Sequence, residues 1–263
     1  IRNISLAKRM VILFHIKNIW DKIYFHPLFY FIVVLSFITG HFRNLFYFTI
    51  IILVHELGHS LTGVLLGMKL KKIQIYPYGG CSKLEYDINV RLEKELLVLL
   101  MGPFTQLIFV YLVYYFKIDV ESFFYTYSKF ILIFNLLPIY PLDGGRIVNI
   151  ILSYFLSYYN SLKLTYYSSY FILCITIIIC FINSRNLIFY LIIISLLMEL
   201  YKEIKNGNTY FRKFLLERYL NNYNFKKTKI VKNIYYMKRN YFHIFNYKTG
   251  FIKEKEYLER YFK

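Results

Sequence analysis

The chain has 263 residues, of which 57% are hydrophobic, 21% aromatic and only 18% charged. Water-soluble domains carry about 45–50% apolar and about 25% charged residues, so an ordinary soluble enzyme is excluded and a membrane-embedded chain is expected. The net charge of +18 is uneven, with 16 of the 33 Lys and Arg lying from Lys202 onward. Beside membrane segments and without a nucleic-acid motif, that bias suits an anionic membrane surface and not nucleic acid.

In chain order, residues 1–26 read as a basic N-terminal cytoplasmic or interfacial segment. They lack a short apolar region followed by a small-residue cleavage site, so no removable signal peptide is expected. Six membrane segments follow, at roughly 27–41, 44–67, 92–116, 122–156, 163–183 and 186–204. Several approach or exceed the roughly 18 apolar residues of a spanning helix. The expected fold is therefore an α-helical polytopic membrane protein with six transmembrane segments, a small β-hairpin and a short cytoplasmic C-terminal module.

His26 and His41 bracket the first segment and read as interfacial residues. Between the second and third segments, Lys71, Ile73 and Ile75 alternate with Lys72, Gln74 and Tyr76 before Pro77, Gly79 and Gly80. Alternation interrupted by turn residues predicts a hairpin over residues 70–87. The fourth segment is too long for one straight span and is interrupted by Pro138, Pro141, Gly144 and Gly145. It should be broken or unwound over 135–146, and such backbone survives at membrane depth only where protein or a water-filled cavity satisfies it. Cys81, Cys174 and Cys180 form neither a disulfide framework nor a metal-knuckle spacing. The tail, 205–263, is polar and aromatic, with residues 211–220 expected to be helical.

Orientation follows from the short loops. Arg2, Lys8, Arg9, Lys17, Lys22, Lys69, Lys71, Lys72, Lys83, Arg91, Lys163 and the tail fall on one side, against Arg43, Lys117, Arg185 and at most Lys129 on the other. Both termini should be cytoplasmic.

The chemistry centres on His55-Glu56-Leu57-Gly58-His59, inside the second segment. On a helix, residues i and i+4 lie about 40° apart and roughly 6 Å along the axis, so both imidazoles reach one ion while Glu56 can serve an attacking water. This is the zincin pattern of two ligands and a general base. Polar groups at the centre of an apolar span cost at least about 2.5–3.5 kcal/mol when charged, and metal ligation gives a reason to keep them. The plainer alternative is a polar pair that glues helices together. A catalytic zinc needs a third protein ligand. Asp143 is the only acid between Glu121 and Glu199, and either zinc ligation or capping of a restarting helix suits it.

His55-Glu56-Leu57-Gly58-His59 in one segment and Leu142-Asp143-Gly144 in a later one resemble the site-2 protease family of intramembrane metalloproteases. The likeness tightens to its stage IV sporulation branch in endospore-forming bacteria. It does so through His26-Pro27-Leu28-Phe29, Thr39-Gly40-His41, Pro77-Tyr78-Gly79-Gly80, the run from Asn135 to Gly145, and the run from Arg212 to Tyr219. It extends over about residues 20–220. The resemblance implies Zn2+ held by His55, His59 and Asp143, with Glu56 as catalytic base. It implies that Asn135 contacts substrate or the reacting carbonyl, and that Gly79 and Gly80 belong to a membrane-reentrant hairpin that helps admit substrate. It further implies a membrane-associated sigma-factor precursor as substrate, inhibitory membrane proteins as partners, and the mother-cell membrane around the forespore as location. An oligomer is compatible with it. Relatives in this branch end in a nucleotide-binding CBS domain, to which 205–263 corresponds only as an abbreviated CBS-like module. Cleavage of an anti-sigma factor or remnant signal peptide, or a non-catalytic membrane scaffold, are the alternative functions.

Overall fold

A computed structural model describes residues 22–76, 79–85, 87–183, 187–223, 225, 227–247 and 250–262. Most of the expected 1–26 segment, the turn residues Pro77 and Tyr78, and Arg185 lie outside the described residues. The chain divides into two compact units. One comprises Ile1–Tyr86 with Leu97–Asn135, the other Asp87–Leu96 with Leu136–Lys263.

The first unit opens with β1 (Ile23–Phe25) and α1 (Pro27–Ile38), then α2 (Phe42–Leu65). Gly40 (φ +74°) and Gly67 (φ +87°) turn the chain at either end of α2 in the left-handed region that glycine tolerates. The expected hairpin forms from β2 (Lys69–Tyr76) and β3 (Gly79–Glu85), paired antiparallel. Leu70, Ile73 and Ile75 are all buried, although a spacing of three would put Leu70 and Ile73 on opposite faces of a regular strand. A one-residue irregularity between Leu70 and Lys72 restores the common face. β1, which the sequence reading did not anticipate, pairs parallel to β2 through Ile23↔Ile73 and Phe25↔Ile75. The sheet order β1-β2-β3 leaves β3 at an edge among the described residues. Its inner face packs on Ile51 and Ile52 of α2, continuous with Phe29, Phe124 and Ile131. α3 (Leu92–Tyr115) and α4 (Ser122–Leu136) follow.

In the second unit, the fourth apolar segment breaks where expected, between α4 and α5 (Asp143–Phe155). The broken backbone is satisfied internally. Tyr140 N–H donates to Ser169 Oγ at 2.8 Å, Leu142 N–H to Ile139 O at 2.9 Å, and Arg146 N–H to Leu142 O at 3.0 Å. α6 (Tyr158–Asn183) packs on α5 through a buried polar seam in which Asn149 donates to Thr165 Oγ1 and Ser153 to Ser161 Oγ. α7 runs unbroken from Leu187 to Leu220. It therefore passes through residues 204–205, where the last segment was expected to end, because no proline interrupts it and Gly207 lies against the Tyr166 ring.

The tail folds as β4 (Lys227–Val231), β5 (Tyr241–Tyr247) and β6 (Gly250–Lys253), closed by α8 (Glu254–Phe262). β4–β5 is parallel and β5–β6 antiparallel. Arg218, near the end of α7, is its buried hub, reaching Glu254 Oε1 (2.9 Å), Asn89 Oδ1 (2.7 Å) and Tyr241 O (2.8 Å).

Among the described residues, three helices are long and apolar enough to cross a membrane: Phe42–Leu65, Leu92–Tyr115 and Tyr158–Ile179. α1 has 12 residues, about 18 Å of helix, well short of a hydrocarbon core of about 30 Å.

Candidate metal centre

The sequence places His55 and His59 one turn apart on α2, and both side chains are buried, at 1% and 6% exposure. Their Nε2 atoms lie 3.1 Å apart. α3 dictates which ring nitrogens carry protons. His59 Nδ1 lies 2.9 Å from Val98 O, a carbonyl that can only accept, so Nδ1 must be the donor. His55 Nδ1 lies 3.0 Å from Gln106 Oε1. The Gln106 amide is oriented by donating from Nε2 to Ser128 O (2.8 Å) and Ser128 Oγ (3.1 Å), which turns its oxygen toward His55. With both Nδ1 atoms protonated, each ring in its neutral form presents an Nε2 lone pair toward the other. Two lone pairs at 3.1 Å repel unless a cation, a proton or a metal ion, stands between them.

The pair suits zinc. Two imidazole nitrogens roughly 2.0–2.1 Å from a shared tetrahedral ion stand about 3.3–3.4 Å apart, close to the separation here, and outer-sphere acceptors on the remote nitrogens are the usual partners of ligating histidines. Glycines clear the space. A Cβ on Gly102 of α3 would stand 2.2 Å from His59 Nε2, and one on Gly58 would stand 2.5 Å from Met101 O. The two helices thus approach through small residues, as membrane helices do.

Glu56 is also buried, and its carboxylate faces the hairpin. Its Oε2 accepts from Ser82 Oγ of β3 at 2.5 Å. A Cβ on Gly80 would lie 2.5 Å from Glu56 Cγ and 2.8 Å from Oε1, so only glycine lets the strand come this close. His55, Glu56, Gly79, Gly80 and Asn135 line one cleft with about 320 Å³ of empty space, walled by Phe48, Phe130 and Phe134. Its lining is apolar apart from a carboxylate, an imidazole and an amide.

Asp143 belongs to the second unit, where it opens α5. Leu142, not Asp143, occupies the N-cap position, with no side-chain cap bond. Asp143 instead carries its charge in the first turn, favourably placed against the helix dipole. Gly144 and Gly145 let the helix start directly beneath the broken segment, where a Cβ would come within 2.2 Å of Leu136 O or 2.3 Å of Tyr140 N.

Sequence reasoning missed Gln106, Ser82, Ser60 and Gly102. Gln106 left a signal, as an amide inside the apolar run 96–116. Ser82 left none that distinguishes it from any hairpin serine.

The profile of peptidase family M50 matches residues 42–121 and 117–179. This chain belongs to peptidase family M50. Stage IV sporulation protein FB of Bacillus subtilis is 30% identical to this M50 peptidase over 206 residues, or 75% of this chain and 71% of that protein. A zinc metalloprotease of Methanocaldococcus jannaschii is 33% identical over 122 residues, 43% of this chain and 35% of that protein. The chain thus spans about a third of that relative's length. The solved structure of the site-2 protease from Methanocaldococcus jannaschii matches with a TM-score of 0.54 at 26% identity, covering 69% of this chain and 91% of that one. The resemblance to the site-2 proteases read from the motifs is therefore met, and the chain is a membrane metalloprotease.

Proposed function

We propose that this M50 peptidase is a zinc-dependent intramembrane endopeptidase in which His55, His59 and Asp143 hold the ion and Glu56 is the general base. The observation that carries the reading is the pair of Nε2 atoms facing each other across 3.1 Å. The acceptors on both Nδ1 atoms place a proton there, so Nε2 is the nitrogen each ring can offer to a shared ion. With Asp143 as third ligand, the donor set would be two imidazoles and a carboxylate, of the kind zinc takes.

Zinc bound there supplies Lewis acidity to the scissile carbonyl and brings the pKa of a coordinated water to about 7. Glu56 accepts the proton of the attacking water as its oxygen bonds to the carbonyl carbon. The same carboxylic acid then gives that proton to the amide nitrogen as the C–N bond breaks. Asn135, on the wall of the cleft, donates to the substrate backbone or to the reacting carbonyl. A helical substrate has its carbonyls tied up and must be extended before attack. β3, unpaired along its outer edge among the described residues, holds the extended chain by strand addition; Gly79 and Gly80 border the cleft, and Gly80 lets the strand lie close to Glu56.

The substrate is a membrane-associated precursor, which the motif resemblance to the sporulation branch suggests is a sigma factor that loses its pro-segment. Inhibitory membrane proteins hold the enzyme silent. The six segments lie in the membrane, the first as the short helix α1, with both termini cytoplasmic, in the mother-cell membrane around the forespore. The test is co-expression with candidate precursors, comparing wild type with Glu56→Gln. The variant should keep its zinc and lose about two to four orders of magnitude of cleavage. Processing at the wild-type rate by Glu56→Gln defeats the assignment.

A further inference from the structure

The hairpin does more than border the cleft, because one of its hydroxyls is tied to the base. We infer that Ser82 is a positioning residue that fixes the Glu56 carboxylate, with Ser60 behind it as the donor that directs the Ser82 proton. The inference rests on Glu56 being the general base.

Ser60 lies four residues after Glu56 on α2 and is fully buried. Its hydroxyl donates to Ser82 Oγ at 3.1 Å. A hydroxyl has a single proton to give, so Ser82, already accepting from Ser60, must donate its own elsewhere. Two acceptors are within reach, Glu56 O at 3.1 Å and Glu56 Oε2 at 2.5 Å. The closer, charged oxygen takes it, as a charge-assisted bond outweighs a neutral one. The chain of bonds therefore runs Ser60 to Ser82 to Glu56 Oε2.

This division leaves the two carboxylate oxygens unequal. Oε2 is held by the hairpin, while Oε1 faces the space that Gly80 leaves by lacking a side chain, 2.8 Å from where a Cβ would be. That space belongs to the cleft lined by His55 and Asn135. Oε1 is thus the oxygen that takes the water proton, and Ser82 is what stops the carboxylate from rotating. The same strand that would carry substrate along its outer edge holds the base along its inner face, so an extended substrate and an aligned carboxylate depend on one element.

The test uses the full-length chain in detergent, with the quenched apolar peptide that wild type cleaves fastest among a panel. Ser82→Ala should lower kcat by about tenfold to a hundredfold, with KM within twofold and zinc content equal to wild type. Ser82→Thr, which keeps the hydroxyl, should recover most of the loss. Ser60→Ala, which frees Ser82 to point elsewhere, should lower kcat by a smaller factor, and it carries the test should Ser82→Ala fail to fold. On a Glu56→Gln background, Ser82→Ala should cost nothing further. Wild-type kcat in Ser82→Ala, or a loss expressed in KM, overturns the inference, as does a Thr variant as impaired as Ala. Cleavage by Glu56→Gln would overturn the base assignment itself, whereas an inactive Glu56→Gln beside a fully active Ser82→Ala removes only the role given to Ser82.

Discussion

Gly102→Ala isolates what α3 contributes to the metal centre. The added methyl would stand 2.2 Å from His59 Nε2 and 2.3 Å from Cε1, where ordinary contact needs 3.4 Å or more. Something must retreat by about 1 Å. The imidazole cannot slide away as a whole, because Nδ1 is tied to Val98 O at 2.9 Å, one turn earlier on the same helix. It must pivot about that bond and swing Nε2 off its line to His55. The helices cannot part cheaply either, since Gly58 meets Met101 and Thr105 at the same level.

Metal–ligand distances tolerate about 0.2 Å, so a displacement several times larger should cost at least as much as losing an outer-sphere partner, about 10–100-fold in affinity. We expect a zinc Kd raised about 100-fold or more, equivalent to roughly 2.7 kcal/mol. Helix propensity acts the other way, as alanine is favoured over glycine by about 1 kcal/mol, so the metal-free protein should not be destabilised on backbone grounds. Chelator competition on the purified chain reads the affinity, and thermal melting with and without zinc separates the two effects. A Kd within threefold of wild type would refute the placement of His59 against α3.

Gln106→Leu removes the acceptor from His55 Nδ1 and should weaken zinc by about 10–100-fold, while Gln106→Glu, which keeps an acceptor there, should lose less in the same competition assay. The neighbouring hairpin glycines should behave oppositely. Gly79→Ala meets nothing within 4 Å and should be silent, whereas Gly80→Ala collides with Glu56 and Ile52 and should reduce kcat with zinc content intact. In the tail, Arg218→Met leaves Glu254 buried without its guanidinium and should cost about 3–5 kcal/mol, read as faster amide exchange across β4–β6. Acid should loosen the same module. Burial holds the His243 imidazole below its usual pKa, with the Glu254 hydrogen bond only partly opposing, so the unfolded tail takes up a proton that the folded one refuses and stability falls as pH drops below about 6.5. Burial would raise the Glu254 carboxyl, but its hydrogen bond with His243 and the Arg218 charge prevail and hold it low. Its contribution is therefore kept through that range and lost only as pH falls past the ordinary carboxylate region. Protection factors across β4–β6 that do not change between pH 7.5 and about 5.5 would contradict the buried neutral histidine.

What could be read from the sequence was whatever conflicts with an apolar surrounding. His55, Glu56 and His59 stood out because charge and hydrogen-bonding groups inside a span need a reason to be there, and Pro138, Pro141 and the paired glycines marked the break because a helix cannot absorb them. The hairpin was legible from its alternation, but its register was not. The irregularity between Leu70 and Lys72 shifts the pattern by one, so Lys71 does not share the face of Ile73 and Ile75. β1 is three residues long and stabilised by its neighbour, too short to carry a pattern of its own. α7 outran its expected end because polarity changes at residue 204 while helical geometry does not. Arg218 and Ser82 were illegible for a common reason: their partners, Glu254 and Glu56, lie 36 and 26 residues away, and nothing local announces such a bond.

The histidine motif is therefore only half of the metal centre. On an isolated helix, either imidazole nitrogen could hold the proton, and a pair at i and i+4 could settle into a shared hydrogen bond with no metal. Val98 O and Gln106 Oε1 remove that option for two neutral rings by claiming both Nδ1 protons, and Gly102 gives the His59 ring room to present its other nitrogen. Metal affinity is thus specified over residues 98–106 as much as over 55–59. A related chain that keeps both histidines but replaces the amide at 106 with an apolar side chain and the glycine at 102 with a bulky one should carry the motif and bind zinc poorly. Conversely, a chain with the acceptors and glycine in place should bind the ion even when Glu56 is replaced, which is why loss of cleavage and loss of metal can be separated in this protein.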